Sequence, residues 1–208
     1  MNGALNEYAK ALAPTAEQER MYNDTVNLLG KRLHQNSKYK FQLRPAGSFM
    51  KRSGIAGNMD LDVVVLINNE KPPFTEVVSE VEDILLQISE LHERDIKKTR
   101  FSLHFSWKCG DQEVDIDLVM GANLVTDPHV SDVCAEQYQR TLEEIKKFRN
   151  RDGELSPFEG SNYYSASFVE MTIQIVKAQS ASVHNLIRLV KMWKNSLYLT
   201  QRVPGELK

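Results

Sequence analysis

Hydrophobic residues recur along the chain with two different periods. Between Thr15 and Gln35, Met21, Val26, Leu28, Leu29 and Leu33 fall at helical spacing behind a Pro14-Thr15 start signal, which predicts one long helix. Lys38–Arg44 reads as extended, after which Pro45, Gly47, Gly54 and Gly57 keep Ser48–Met59 irregular or only briefly helical. The apolar run in Asp60–Ile67 predicts a strand buried on both faces, and Lys71-Pro72-Pro73 closes the loop behind it. Val77, Val81, Ile84, Leu85, Ile88 and Leu91 then make Phe74–Glu93 an amphipathic helix. Phe101, Leu103, Phe105 and Trp107 alternate with polar residues, as do Val114, Ile116 and Leu118, so two strands follow, joined by a turn at Cys109-Gly110-Asp111. Beyond Pro128 the period is helical, in Val133–Phe148, Phe168–Lys177 and Val183–Leu199, with a polar loop at Arg149–Gly160. Leu186, Leu189, Val190 and Trp193 are read as core. Helix, strand, helix, the elements of a three-stranded mixed sheet, then helices only: this order predicts an α+β fold with a segregated helical part.

Composition narrows the class without naming a function. The 208 residues suit one large domain or two small ones, and 41% hydrophobic with 26% charged residues excludes disordered and collagen-like chains. The longest apolar run, Val63–Ile67, is far short of a membrane-spanning helix, and the first residues carry no basic-then-apolar leader pattern. Cys109 and Cys134 lack metal-ligand spacing, so free thiols in a reducing cytoplasm or nucleus are expected. With 26 Lys and Arg against 28 Asp and Glu the net charge is −2, which argues against bulk coating of nucleic acid or anionic membrane and leaves a local basic face open.

The unusual chemistry lies on the strands. Asp60-Leu61-Asp62 puts two carboxylates on one face, because strand side chains repeat every two residues, and Asp115 and Asp117 do the same on a later strand. Carboxylates among Val, Ile and Leu need a partner or a metal. Converging at one sheet end they would hold one or two divalent cations, and all-oxygen ligands favour magnesium or manganese over zinc. Upstream, Ala46-Gly47-Ser48 leaves a strand and enters a helical turn, offering backbone N–H groups and a hydroxyl to phosphate oxygens. Twelve positions separate Ser48 from Asp60.

A Gly-Ser turn, an Asp-x-Asp strand and a later strand aspartate together resemble the polymerase-β-like nucleotidyltransferase superfamily. The spacing from Gly47-Ser48 to Asp62, the Val114-Asp115-Ile116-Asp117-Leu118-Val119 strand, Tyr164–Glu170 and the helix Leu186-Ile187-Arg188-Leu189-Val190-Lys191-Met192-Trp193 are similar to the 2′-5′-oligoadenylate synthetase family. The cyclic GMP-AMP synthase family shares the Gly-Ser and Asp elements but matches the last helix less well.

The resemblance implies a nucleotidyltransferase-type mixed sheet with flanking helices. Residues 1–160 would form the catalytic core with its long N-terminal helix, and 161–208 the beginning of a truncated helical C-terminal lobe. It implies Asp60 and Asp62 bridging two magnesium or manganese ions, with Asp117 completing the site and Asp115 its rival. Gly47 and Ser48 would contact the β- and γ-phosphates, and Arg188 with Lys191, three apart on one helix, the donor nucleotide. ATP would be donor and acceptor, pyrophosphate the leaving product, and duplex RNA an activator docking on Lys31, Arg32, Lys51 and Arg52, with Lys38 and Lys40 nearby. A cytoplasmic, or also nuclear, role in antiviral defence follows from the same resemblance. Ser180-Ala181-Ser182-Val183-His184 stands where vertebrate members carry lysines, which puts RNA dependence in question. His34, His92, His104, His129 and His184 share no spacing and are read as structural. Alternatives are a cyclic-dinucleotide synthase and a catalytically impaired RNA-sensing module.

Overall fold

The computed structural model describes residues 3–57, 60–68, 73–88, 95–109, 112–123, 143 and 165–201. The helix expected at Val133–Phe148 and the loop at Arg149–Gly160 lie outside these, apart from Glu143, which is helical. Among the described residues no helix is long and apolar enough to cross a membrane.

Two helices open the chain, α1 (Gly3–Ala11) and α2 (Ala16–Asn36). Thr15 caps α2 in a reciprocal box: Gln18 N donates to Thr15 Oγ1 at 3.2 Å, and Thr15 N donates to Gln18 Oε1 at 3.0 Å. Tyr22, Val26, Leu29 and Leu33 form the buried stripe of α2, whereas Leu28 stays exposed. At the far end Ser37 Oγ and Lys38 N both donate to Glu80 Oε1, tying the helix to the next one but one.

β1 (Phe41–Pro45), α3 (Gly47–Met50), β2 (Leu61–Ile67), α4 (Phe74–Ile88), β3 (Lys97–Lys98), β4 (Ser102–Cys109) and β5 (Gln112–Ala122) follow, then a 3₁₀ turn at Ser165–Phe168, α5 (Val169–Lys177) and α6 (Ala181–Gln201). The strands form one five-stranded sheet in the order β1-β2-β5-β4-β3, in which β2 and β5 are parallel and the other pairs antiparallel. The sheet is thus wider than the three strands expected. The edge position of β1 tolerates Pro45, which has no N–H for a second neighbour.

Alternation sorts the two faces. Leu61, Val63, Val65 and Ile67 of β2 join Ile116 and Leu118 of β5 and Leu103 and Phe105 of β4 under α2 and α4, forming the main core. Val64 and Leu66 face the other way, onto Ala46, Ala166 and Val169. Asp62 is the single position of β2 that is not fully buried. It shares the face of Val64 and Leu66 but lies toward the start of the strand.

The last helix corrects one expectation. Leu186, Val190 and Trp193 are 56%, 52% and 63% exposed rather than core. α6 instead turns inward its polar row, with His184 and Asn185 buried and Arg188 and Lys191 half-buried. The inward pull comes from hydrogen bonds: Asn185 Nδ2 donates to Asn6 Oδ1 of α1, and His184 Nε2 meets Val176 O. A buried polar group must be paired, so this face cannot be exchanged for the apolar one without loss.

Candidate active site

The chain leaves β1 at Pro45, and Ala46 N donates to Asp62 O at 2.8 Å, fixing the turn beside β2. Gly47 then takes a positive φ of 58°, and a Cβ built on it would lie 1.5 Å from Oδ2 of Asp62. Only glycine lets the backbone run this close to the carboxylate. Ser48 follows in the short α3, and Ser53 N donates back to its carbonyl at 3.0 Å, folding the 51–54 segment over the turn.

Asp62 and Asp117 are register partners across the parallel β2–β5 ladder. Burial lifts the Asp62 carboxyl above its ordinary value, and the charges of Asp117 and Asp60 lift it further, while Lys51 and Lys191 oppose them. Asp60 stands outside the strand, exposed, just before Leu61. Its charge also adds to the upward push that burial gives the Tyr22 phenol. Asp115 lies one residue before the first ladder pair, Leu61 with Ile116, and its Oδ1 accepts from Ser106 Oγ at 2.5 Å.

Arg188 and Lys191 reach the segment that covers the Gly-Ser turn. Arg188 donates through Nη2 to Arg52 O at 2.7 Å and through Nε to Gly54 O at 3.1 Å, while Nη1 donates to Asn185 Oδ1. Lys191 Nζ donates to Ser53 O at 3.1 Å. Burial pushes both basic groups down, and for Lys191 the Asp62 charge works against that. Lys51 and Lys191 therefore sit in the electrostatic surroundings of Asp62, whereas Lys31 and Arg32 are exposed on α2. Arg52 is exposed at a positive φ of 55°.

Sequence reading missed several neighbours. His104, read as structural, is the β4 register partner of Asp117, with Nδ1 2.5 Å from Oδ1. The signal was present: strands meeting at a two-residue connection after Cys109 set His104 opposite Asp117. The carbonyls of Arg52, Ser53 and Gly54 carried no side-chain signature at all.

Among the described residues no three His, Cys, Asp or Glu side chains already close around one point. The fit to divalent cations rests on donor chemistry instead. Asp62 and Asp117 offer carboxylate oxygens on neighbouring strands, Asp60 adds charge, and burial together with the repulsion of these neighbours lifts Asp62, a cost that a hard cation relieves.

The five-stranded mixed sheet, with helices on its flanks and acids at one end of one face, is a nucleotidyltransferase fold. It is shared with the GLD-2/RNP-8 complex, at 13% identity and a TM-score of 0.50 over 86% of this chain and 66% of that one. Lower scores come from Cid1, an RNA terminal uridylyl transferase (10% identity, TM-score 0.45, 68% of this chain and 39% of that one). The CdnC:HORMA complex of E. coli MS115-1 gives 12% identity and a TM-score of 0.43, over 82% of this chain and 62% of that one. The chain thus spans about two fifths to two thirds of the length of these structures. No protein-family model matches the chain, and no curated protein matches it.

Proposed function

We propose that this protein transfers a nucleotidyl group from a nucleoside triphosphate to a ribose hydroxyl without a template, and that it uses ATP as both donor and acceptor to make 2′-5′-linked oligoadenylates. The observation that carries the reading is the in-register pair Asp62 and Asp117, with the Gly47 backbone pressed against Asp62. That arrangement brings the Gly-Ser turn and an acidic pair to the same end of the sheet.

In this reading the acceptor hydroxyl oxygen forms a bond to the α-phosphorus, the bond from that phosphorus to the β-bridging oxygen breaks, and pyrophosphate leaves. The hydroxyl proton passes to a carboxylate oxygen of Asp117. Asp60, Asp62 and Asp117 would hold two divalent ions, which supply charge neutralisation for the triphosphate and acidify the hydroxyl. Gly47 and Ser48 orient the β- and γ-phosphates, and Lys191 and Lys51, both felt by Asp62, attract them. Arg188 contributes by fastening the segment that covers the turn. Lys31 and Arg32, exposed on α2, remain the proposed contact for an activating duplex RNA, with Lys51 and Arg52 directly after the Gly47–Met50 turn.

Separating the products of a reaction with ATP and magnesium, alone, with GTP, with duplex RNA and with a single-stranded RNA primer tests this reading. Oligoadenylates resistant to a 3′-5′-specific nuclease are expected from ATP alone or with duplex RNA. A mixed cyclic dinucleotide, or an extended primer, would replace the product assignment while keeping the transfer chemistry. No pyrophosphate release under any of these conditions would overturn the reading.

A further inference from the structure

The Asp62–Asp117 pair continues sideways into a third residue. Asp117 is in register with Asp62 on β2 and with His104 on β4, so a carboxylate, a carboxylate and an imidazole stand in one row across three adjacent strands. Side chains at such paired positions on one face lie within reach of each other. The row is realised in contact: His104 Nδ1 is 2.5 Å from Asp117 Oδ1, an imidazole N–H donating to a carboxylate, with both side chains about two fifths exposed.

Packing does not require an imidazole at this position. Leu103 and Phe105 on either side of it enter the main core, while His104 takes the polar face, and its β3 register partner is the exposed Lys97. The neighbouring rung makes the contrast. There Asp115 also takes a β4 donor, Ser106 Oγ, but it lies beyond the β2–β5 ladder and has no β2 register partner. Of the three acids on β5, Glu113, Asp115 and Asp117, only Asp117 has both a carboxylate and an imidazole as register partners.

We propose that His104 is a positioning residue: by fixing Oδ1 of Asp117 it sets the rotamer in which the other carboxylate oxygen works together with Asp62 on a divalent cation. An aspartate side chain turns about two bonds, and an oxygen held by an N–H donor turns about neither. Partners of this kind behind metal-binding carboxylates govern affinity as well as rate. The inference rests on the acid pair assigned above.

The test is manganese affinity of the purified chain, read from the electron paramagnetic resonance signal of free manganese, with folding checked by circular dichroism. His104→Ala is expected to weaken binding about tenfold to a hundredfold, the range seen when such partners are removed. His104→Asn, whose Nδ2 falls where Nδ1 stood, should restore it to within about threefold, and His104→Gln, whose amide lies one carbon further out, should not. If His104→Ala does not fold, the Asn and Gln pair carries the test, and equal affinity in both would overturn the inference. Wild-type affinity in His104→Ala with loss of binding in Asp117→Asn would overturn the positioning role and leave the acid pair standing. Wild-type affinity in Asp62→Asn and Asp117→Asn as well would overturn both.

Discussion

Gly47 and Asp62 compete for one volume: a Cβ on Gly47 would lie 1.5 Å from Oδ2 of Asp62, on a backbone already at φ 58°. Gly47→Ala should therefore cost about 1–2 kcal/mol for the left-handed backbone, and more for displacing the carboxylate. Urea denaturation of a double-mutant cycle separates the two contributions. In an Asp62→Gly background only the backbone part should remain, and an unchanged cost there would contradict the close approach.

Asp62 makes a second prediction, in pH. Its native carboxyl lies above the ordinary 3.8, so the folded chain binds this proton more readily than the unfolded one. Stability from this group is then present at low pH and lost as pH rises from the ordinary value through the raised one. Asp62→Asn should stabilise the metal-free protein at neutral pH, and the gain should vanish below about pH 3.8. Added magnesium should raise the melting temperature of the wild type and leave that of Asp62→Asn nearly unchanged.

Arg188 holds two backbone carbonyls of the 52–54 segment, and Lys191 holds the one between them. Arg188→Ala should cost about 1.5–3 kcal/mol, the range for hydrogen bonds to a charged donor, and should speed hydrogen exchange at Ser53, whose amide reaches back to Ser48. Arg188→Lys should not recover the protection, because one ammonium cannot span Arg52 O and Gly54 O as the guanidinium fork does. Exchange at Ser53 that stays at the wild-type rate in Arg188→Ala would contradict this clasp.

α6 explains where the sequence could and could not be read. Its apolar residues at helical spacing and its polar row of His184, Asn185, Arg188 and Lys191 both make legible helix faces. Which one turns inward depended on the carbonyls of Arg52–Gly54 and on Asn6, and a backbone acceptor leaves no trace in composition. By contrast, period-2 alternation and the turn between them made the β4–β5 pairing legible, and the Thr15 cap placed the start of α2. α1 escaped notice because Ala9 is its one buried residue, so no stripe marks it. β3 is two lysines long and owes its pairing entirely to β4. The acids were legible because carboxylates are anomalous among Val and Ile, whereas the role of His104 emerges only when the β4–β5 hairpin is counted residue by residue from Cys109 and Gln112 to the His104–Asp117 pair.

The outward face of α6 gives a further prediction. Trp193→Gln should change stability by no more than about 0.5 kcal/mol, as for other exposed positions. Leu118→Ala, at a fully buried position of β5, should cost about 2–5 kcal/mol in the same urea titration. A large loss at Trp193 would mean that this face is covered.

The proposed joint action of Asp62 and Asp117 on a nucleoside triphosphate is tested most directly by pyrophosphate release from ATP with magnesium. Asp62→Asn and Asp117→Asn should each slow release about a thousandfold, equivalent to several kcal/mol of lost stabilisation, while Asp115→Asn stays within about tenfold of the wild type. Wild-type release by Asp62→Asn, or a greater loss in Asp115→Asn than in Asp117→Asn, would contradict the assignment.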